Sequence, residues 1–372
     1  MPGNHGAYTE NIVHGGDVYR NNVRLDFSVS LNPLDMPEEI RNAMLEGISE
    51  AGQYPDPLQQ RLREEVALLE GVCPEEVICG NGASELLMAA VHAFMPKKAL
   101  LTAPCYAGYS KALEAVSAAV EEYELKEEGD FALRPDFVDR IDDFTDMVFI
   151  SDPNNPDGRR IDPLLKRRII ERCEETGAIL VIDECFLPLS ASGTEIISNT
   201  ETGTLTLTDD TDEAVSGTAL HLRAFTKTFA IPGIRLGYMI SRDQSKTERI
   251  RKQLPEWNVS RIAERTGEAA AKLLRETDYL ERSMKTVTEE RKYLTGELTS
   301  LGIKVYPSDA NYILIKSSPE LYDELLKRGI LIRSCSNFSG LDDTFFRIAV
   351  RRHEDNIFLA KALKTAVGVT RV

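Results

Sequence analysis

The chain has 372 residues, more than a single simple hydrophobic core holds, so we expect a large domain and a smaller one. Apolar residues make up 42% and charged residues 28% of the chain, a globular balance that excludes disordered and fibrous proteins. The formal net charge of -16, without a basic stripe interleaved with aromatic residues, argues against nucleic acid as a partner.

The first residues carry no signal for targeting or for a membrane. They read MPGNHGAYTENIVHGG, without a basic region followed by an apolar run, and no stretch approaches ~18 uninterrupted apolar residues. We therefore expect a cytoplasmic protein whose residues 1–30 form a polar arm. The six cysteines contain no Cys-x-x-Cys pair, which argues against disulfides and against a metal site.

Helical and strand-like patterns alternate after this arm. Helical periodicity over Pro37–Ala51 and Pro57–Glu70 begins in each case at a proline, which suits a first helical turn. Further amphipathic stretches predict helices over Ser84–Phe94, Ala107–Ala119 and Pro163–Glu175. Short apolar runs predict strands at Val77–Cys79, Ala99–Ala103, Met147–Ser151, Ala178–Ile182, Ala219–Phe225 and Leu236–Ile240. This succession predicts an α/β domain, residues 31–255, with a largely parallel sheet covered by helices on both faces.

Two later regions depart from this pattern. Ser198–Ser216 is rich in Thr, Asp and Glu, and we interpret it as an inserted exposed loop or hairpin. A long amphipathic run, Val259–Leu301, leads into a smaller α+β domain, residues 256–372. Its predicted strands are Lys304–Tyr306, Tyr312–Lys316, Ile330–Arg333 and Phe345–Val350. Its predicted helices are Pro319–Arg328 and Glu354–Thr365.

Three short segments could carry chemistry. Cys79-Gly80-Asn81-Gly82-Ala83-Ser84 ends a strand and opens a helix, where backbone N–H groups can bind a phosphate. A tight turn without a ligand is the alternative. Asp183 follows an apolar strand at its carboxyl end, where it could pair with a cation or merely cap a helix. Thr226-Lys227, with Arg235 eight residues on, could supply an amine and a phosphate donor, although a lone lysine is usually a solvated surface residue.

The ordered set of motifs resembles the class I/II aminotransferases of pyridoxal 5'-phosphate (PLP) fold type I, over nearly the whole chain. The matching pieces are NGASE (81–85), PCYAGY (104–109), DPNNPDG (152–158), VIDECF (181–186), FTKTFAIPGIRLGY (225–238) and FFRIAV (345–350). The resemblance implies a three-layer αβα large domain, a smaller α+β domain and PLP as the cofactor.

The resemblance also implies roles for individual residues. Lys227 would carry PLP as a Schiff base, and Asp183 would pair with the ring nitrogen. Tyr106 would stack on the ring, and Asn155 would donate to the phenolic oxygen of the cofactor. Arg347 would bind the α-carboxylate of the substrate as a bidentate clamp.

The cofactor phosphate would be held by residues from several segments of the chain. Ala224, three residues before the lysine, stands where the family usually has a serine or threonine, so one donor is missing and Thr226 would have to compensate. Tyr54 would reach the phosphate bound by a neighbouring subunit, which makes a homodimer the expected functional unit. The same-chain phosphate contacts implied are Gly82, Ala83, Ser84, Thr226 and Arg235.

Two branches of the family resemble the chain most, threonine-phosphate decarboxylase and histidinol-phosphate aminotransferase. The arm HGGD (14–17) and the segment RSCSNFSGL (333–341) are similar to motifs of the decarboxylase branch. Arg333 would then bind the substrate phosphate, with His14 and Asn32 as secondary contacts. Phe186 also favours the decarboxylase branch, because transaminases of the family usually have a tyrosine at this position.

Other interpretations of these residues stay open. Arg333 and Arg347 taken alone could be surface residues of a strand pair, and His14 could belong to a merely ordered arm. A PLP-binding sensor half of a transcription regulator would need a DNA-binding domain, for which the acidic chain leaves no room. An inactive scaffold is disfavoured because four residues of the resemblance occur together, namely Lys227, Asp183, Asn155 and Arg347. Decarboxylation and amino transfer both remain possible, since the motifs do not report which bond lies perpendicular to the cofactor ring.

Overall fold

The computed structural model of the protein describes residues 15–190, 195–198, 205–208 and 218–370. The described strands are β1 Leu25–Asp26, β2 Val77–Gly80, β3 Lys98–Ala103, β4 Ala119–Glu124, β5 Met147–Ser151, β6 Ile179–Asp183, β7 Glu195–Ser198, β8 Leu205–Thr208, β9 Leu220–Ala224, β10 Gly237–Ile240, β11 Lys304–Val305, β12 Tyr312–Lys316, β13 Ile330–Leu331, β14 Arg333–Ser334 and β15 Phe345–Ala349. The described helices are α1 Glu38–Ser49, α2 Gln60–Glu70, α3 Ala83–Phe94, α4 Gly108–Glu114, α5 Pro163–Thr176, α6 Phe225–Thr228, α7 Gln244–Arg251, α8 Arg261–Glu276, α9 Tyr279–Ser300, α10 Leu321–Leu326 and α11 His353–Thr370.

A seven-stranded sheet forms the centre of the large domain. Its strand order is β2-β10-β9-β6-β5-β3-β4, and every neighbouring pair from β9 to β4 is parallel. Only β10 runs against its neighbours, β2 and β9. All residues of β5 are buried, as expected for a strand covered on both faces. The predicted α/β class with a largely parallel sheet is confirmed.

Helices cover both faces of this sheet and give it three layers. Along β5, Met147 and Phe149 pack with residues of α3 and α4, whereas Val148 and Ile150 pack with residues of α5. This alternation follows from the two-residue period of a strand. At the other end of the sheet, alternate residues of β2 and β10 pack on α1, α2 and α8.

A second sheet, of order β11-β12-β15-β14, carries the C-terminal part of the chain. Residues of α9, α10 and α11 pack on it in one hydrophobic core. Phe27, from the predicted N-terminal arm, is fully buried in that core. The strand before it, β1, pairs in parallel with β13, so the start of the described chain is joined to its C-terminal part.

The boundary of the helix predicted over residues 107–119 is wrong. The helix predicted over Ala107–Ala119 ends at Glu114, and residues 119–124 form the edge strand β4 instead. The sequence AVEEYE places three glutamates in this strand, and an edge strand exposed to solvent lacks the apolar run that marks the buried strands. The exposed loop or hairpin predicted over Ser198–Ser216 falls largely outside the described residues, but Glu195–Ser198 does pair antiparallel with Leu205–Thr208.

Helix α8 lies beyond the predicted domain boundary at residue 255, yet it packs on α1 and α2 of the large domain. The boundary itself stays a prediction. Within the described residues, no helix is both long enough and apolar enough to cross a membrane.

Candidate active site

A cavity of about 340 Å³ lies between the two sheets. It is bordered by the carboxyl ends of β5, β6 and β9, by the start of α3, and by β14 and β15. Ligands of open α/β sheets bind at the carboxyl ends of the strands. The predicted site residues that line it are Gly82, Ala83, Ser84, Tyr106, Asn155, Asp183, Thr226, Lys227, Arg235, Arg333 and Arg347.

Lys227 supplies an amine at the floor of the cavity. It lies in the single turn of α6 directly after β9, with its Nζ 5.5 Å from the ring centroid of Phe186. Burial lowers the pKa of Lys227, and the neighbouring Arg347 and Arg235 lower it further. A lowered pKa favours the neutral amine, which is the nucleophilic form that attacks a carbonyl group.

Asp183 ends β6 and is buried beside the same space. The Tyr109 hydroxyl donates to its Oδ2 at 2.7 Å, and the Cys185 N–H donates to its Oδ1 at 3.0 Å. Burial raises the pKa of Asp183 despite these hydrogen bonds. A protonated ring nitrogen beside this carboxyl would supply the missing positive charge and hold it ionised.

The start of α3 forms an anion cradle with Arg235. Gly82 caps the helix with φ +84°, and a Cβ added there would lie 2.5 Å from Nη2 of Arg235. A Cβ on Gly237 would lie 2.6 Å from the backbone nitrogen of Ala83. Both positions therefore require glycine, because the guanidinium and strand β10 come directly against the first turn of the helix. Backbone N–H groups and one arginine converge where a phosphate is favoured.

Tyr106 forms one side of the cavity. Its ring lies edge-on to Tyr109, with centroids 5.5 Å apart, and its hydroxyl is 3.5 Å from the Ser84 Oγ. A Cβ on Gly108 would lie 2.2 Å from this ring, so the glycine lets the ring lie flat against the backbone. A planar cofactor could stack on the ring face that borders the cavity.

Arg347, on β15, is buried and bridges the two domains at the cavity. Its Nη1 donates to Asn155 Oδ1, and its Nη2 donates to the Ser28 carbonyl oxygen at 3.0 Å. Its Nε has no hydrogen-bond partner among the described residues. Burial lowers the pKa of Arg347, so the guanidinium lacks the charge compensation that a bound anion would give. Asn155, whose oxygen accepts from Arg347, has its Nδ2 as its remaining donor.

Arg333 lies directly opposite Arg347 in the antiparallel pair of β14 and β15. Its Nη2 donates to Asn337 Oδ1 at 2.7 Å, and its guanidinium lies 5.2 Å from the ring centroid of Phe338. Burial lowers the pKa of Arg333 to about 10, and Arg347 lowers it as well. Two buried cations thus face each other across one strand pair, which favours a ligand with two negative charges at this end of the cavity.

The structure does not bring every predicted residue to the cavity. Asn32 is buried elsewhere, where its Nδ2 donates to the Thr228 carbonyl oxygen at 2.7 Å and to Ser283 Oγ at 2.8 Å. Tyr54 is 80% exposed and its ring lies 4.8 Å from that of Trp257, away from the cavity. His14 lies outside the described residues, but its neighbour Gly15 lines the cavity.

Ser30 and Asn337 are among the cavity residues that the sequence interpretation did not single out. Ser30 is 1% exposed, and its Oγ has no hydrogen-bond partner among the described residues. Asn337 accepts from Arg333 and belongs to the segment that resembles the decarboxylase branch. The motif RSCSNFSGL could have indicated Asn337, whereas Ser30 carries no sequence signal of its own because a serine in a loop is common.

The residues present fit PLP part by part. The anion cradle at the start of α3, together with Arg235, could bind the phosphate of PLP. Buried Asp183 could pair with the ring nitrogen, and the Lys227 amine could react with the carbonyl carbon. Ala224 lines the cavity, and its methyl side chain can donate no hydrogen bond to a phosphate. Thr226, which also borders it, has a hydroxyl for that purpose.

Comparisons with known proteins give one family. The model of aminotransferase class I and II matches residues 23–363. The chain is 30% identical over 347 residues to threonine-phosphate decarboxylase of Salmonella typhimurium, covering 92% of this chain and 91% of that protein. It is 33% identical over 358 residues to the adenosylcobalamin biosynthesis bifunctional protein CobDQ of Leptospira interrogans, covering 93% of this chain but only 39% of that protein.

A solved structure agrees with the fold described above. The histidinol-phosphate aminotransferase of Clostridium acetobutylicum superposes with a TM-score of 0.80 and 31% identity. The superposition covers 92% of this chain and 99% of that one.

Proposed function

The chain belongs to the class I and II aminotransferase family and is therefore an enzyme with PLP as its cofactor, and we propose that it decarboxylates O-phospho-L-threonine. The product would be aminopropanol phosphate, the linker of cobalamin. The residues assigned to the site are those that line the cavity, with Lys227 as the catalytic residue.

The observation that carries the proposal is the pair formed by Arg333 and Arg347. Their strands hold them opposite each other, and both border the cavity that contains Lys227. O-Phospho-L-threonine has a carboxylate and a phosphate separated by two carbon atoms, so one guanidinium could hold each anion. Guanidinium groups bind both kinds of anion with two parallel hydrogen bonds.

Two further observations support the decarboxylase. The segment that carries Arg333 and Asn337 resembles that branch, and two relatives at 30% and 33% identity have names from threonine-phosphate decarboxylation and adenosylcobalamin biosynthesis. Phe186 lies over Lys227 and brings no hydroxyl to the cofactor, unlike the tyrosine usual in transaminases of the family.

The chain's own residues would select the bond that breaks. PLP, when bound, withdraws electrons from the bond at the substrate α-carbon that is perpendicular to its ring. Arg347 and Arg333 would hold the two anions so that the bond to the carboxylate takes this orientation. Lys227, whose Nζ can hold a proton within the cavity, would then protonate the α-carbon. Asp183 would keep its negative charge beside the ring nitrogen throughout.

We also propose that the enzyme is a homodimer. Tyr54 is exposed and lies beside Trp257, which is itself 44% exposed, so this aromatic pair is available to a second subunit. In the dimer, Tyr54 would donate to the cofactor phosphate of the partner subunit. Sedimentation equilibrium of the holoenzyme tests the dimer, and a monomer with full activity would contradict it.

The reaction is tested by supplying O-phospho-L-threonine to the purified holoenzyme without a keto acid. We expect stoichiometric release of CO₂ and aminopropanol phosphate, and no release by the Lys227→Ala variant. If the holoenzyme binds the substrate but forms no CO₂, decarboxylation is wrong.

Amino transfer from histidinol phosphate to 2-oxoglutarate is the second candidate. It is favoured by the likeness to the solved histidinol-phosphate aminotransferase, at 31% identity. The same preparation is tested with both of these compounds. Formation of glutamate, together with absence of CO₂ from O-phospho-L-threonine, would support this candidate instead of the decarboxylase.

A further inference from the structure

We infer that Glu127, assisted by Glu122, is a positioning residue that holds the second sheet over the cavity and so sets the location of Arg333 and Arg347. We call Glu122 and Glu127 the acidic edge. Glu122 lies on β4, the edge strand of the large domain, and Glu127 lies in the turn after it. The inference rests on the proposed function for its kinetic consequence, since it concerns the arginines that would bind the substrate anions.

Glu127 accepts hydrogen bonds from two lysines of the second sheet and from Tyr306, the residue directly after β11. It accepts hydrogen bonds from the Tyr306 hydroxyl at 2.6 Å and the Lys304 Nζ at 2.7 Å on one oxygen, and from the Lys316 Nζ at 2.9 Å on the other. Lys304 lies on β11 and Lys316 on β12, so one carboxylate ties two strands of the small domain to the large domain.

Glu122 makes a separate contact with the loop after β14. It accepts a hydrogen bond from the Ser339 hydroxyl at 2.6 Å. Ser339 directly follows Phe338 and is two residues from Asn337, and both of these residues line the cavity. The acidic edge therefore holds both the sheet and the loop that complete the substrate end.

An aromatic contact fixes the same junction. Phe131 of the large domain is 3% exposed and lies edge-on to Tyr306 and Phe345, with ring centroids 5.0 and 6.0 Å away. Asp130 and Phe131 have φ values of 51° and 60°, a left-handed conformation that side chains rarely adopt. The packing of Phe131 against the small domain stabilises that strained turn, so the turn that carries Glu127 is held in a defined place.

The strand register connects Glu127 to the arginines. Lys316 pairs with Phe345, and two residues further along β15 is Arg347, which pairs in turn with Arg333 on β14. Two residues of a strand span about 7 Å. If the sheet moved at Lys316, the guanidinium groups of Arg347 and Arg333 would therefore move with it.

The exposure of the ion pairs favours positioning over stability as their role. Glu127 is 30% exposed, and its partners Lys304 and Lys316 are 52% and 34% exposed. Water-accessible ion pairs of this kind contribute little to the free energy of unfolding. Breaking them should leave the fold intact but allow the second sheet to take a range of positions.

The test compares Glu127→Gln with Glu128→Gln in the holoenzyme. Glu128 is exposed in the same turn and has no hydrogen bond or ion pair among the described residues, so it is a matched control. We expect Glu127→Gln to raise the KM for O-phospho-L-threonine roughly tenfold, because the negative charge that attracts both Lys304 and Lys316 is lost, with kcat changed by less than about twofold. Glu128→Gln should match the wild type in both constants.

Hydrogen exchange of one amide gives a readout that does not depend on the reaction. The Asp309 N–H in the small domain donates to the Gly158 carbonyl oxygen in the large domain at 2.8 Å, so its exchange reports separation of the domains. In Glu127→Gln this exchange should become several times faster, while the cofactor absorbance stays unchanged. Unchanged KM and unchanged Asp309 exchange, or equal changes in Glu128→Gln, would overturn the inference.

Failure of the proposed reaction would give a different pattern. If no CO₂ is formed, KM is measured for histidinol phosphate and the exchange experiment is unaffected. Faster Asp309 exchange in Glu127→Gln with no decarboxylation would retain the positioning role and reject only the substrate assignment.

Discussion

The cofactor wall of the cavity, formed by Gly82, Asp183, Lys227 and Arg235, lies on the seven-stranded sheet and its helices. The substrate wall, formed by Arg333, Asn337 and Arg347, lies on the four-stranded sheet and the loop beside it. The cofactor wall contains a carboxylate among its cations, whereas the substrate wall has two arginines opposite each other. Asp183 is the only acidic residue lining the cavity among the described residues.

This difference indicates which wall determines specificity. The cofactor wall owes its shape to strand ends and glycine backbones, which are fixed before any ligand arrives. The substrate wall holds two buried cations whose pKa values are lowered, so it gains most from a ligand that brings two negative charges. Substitutions in the cofactor wall should therefore change cofactor chemistry, and those in the substrate wall should change substrate affinity.

Lys227→Ala should have the largest effect of all. Loss of the amine removes both the covalent attachment of PLP and the proton donor, so kcat should fall by at least about 10³-fold. The absorbance band of the lysine-bound cofactor should disappear, while circular dichroism shows an unchanged fold. Substantial activity in this variant would mean that the cofactor wall does not carry the chemistry.

Arg333→Ala should separate the two walls most clearly. Removal of one cation leaves a substrate anion buried without its partner, which should raise the KM for O-phospho-L-threonine roughly a hundredfold. The cofactor absorbance should not change. Arg328→Ala, two residues after the end of helix α10 and not among the cavity residues, is the control and should leave KM unaltered. A change in cofactor binding without a change in KM would contradict the division of roles.

Gly82→Ala should have a smaller effect, confined to the cofactor wall. The added Cβ meets the Arg235 guanidinium at 2.5 Å in a backbone with φ +84°, so the dissociation constant for PLP should rise about tenfold, equivalent to ~1.4 kcal/mol. Equilibrium dialysis measures it. Gly233→Ala is the matched control, because no atom lies within 4 Å of a Cβ there.

The smallest effect is expected from lowering the pH, which should remove the contribution of Glu127 to the free energy of unfolding. Hydrogen bonds from Lys304, Lys316 and Tyr306 lower the pKa of Glu127 to about 2. This folded-state pKa is lower than the unfolded value of ~4.3, so the ionised Glu127 stabilises the fold at pH values above ~4.3. The stabilisation is lost as the pH falls from there towards 2. Urea unfolding should therefore show a wild type more stable than Glu127→Gln by less than ~1 kcal/mol at neutral pH, with the difference vanishing in acid. A constant difference at every pH would contradict this origin.

The fold was predictable wherever local pattern and burial coincide. Met147–Ser151 was predicted with the bounds that the structure has, because a short apolar run between polar segments is typical of a strand buried on both faces. β4 was missed because three of its six residues are glutamates, so this edge strand lacks the apolar run that marks the buried strands. The pairing of β1 with β13 leaves no local signal at all, since it joins segments far apart in the chain.

The candidate site was predictable through its ordered motifs, and single residues were less so. Lys227, Asp183 and Arg347 line one cavity, as the resemblance implied, although their roles stay predictions. Asn32 had been assigned to the substrate, but its amide is bonded to Thr228 and Ser283 instead, and Ser30 lines the cavity. A motif gives the residue type, whereas only the packed chain determines which loop residue turns towards the ligand.

The parallel pairing of β1 with β13 determines when, during synthesis, the N-terminal part of the chain can finish folding. Leu25 is synthesised early, but its partner Ile330 emerges from the ribosome roughly three hundred residues later, a separation that slows folding through the cost of closing so long a loop. Until then the core that Phe27 enters is incomplete, because β15 and α11 also follow β13 in the chain, and its ring is more available for unwanted association. A chain that ends before β13 would lack β15 and α11 and would leave that ring partly uncovered, so truncated products should aggregate more than the full-length chain does.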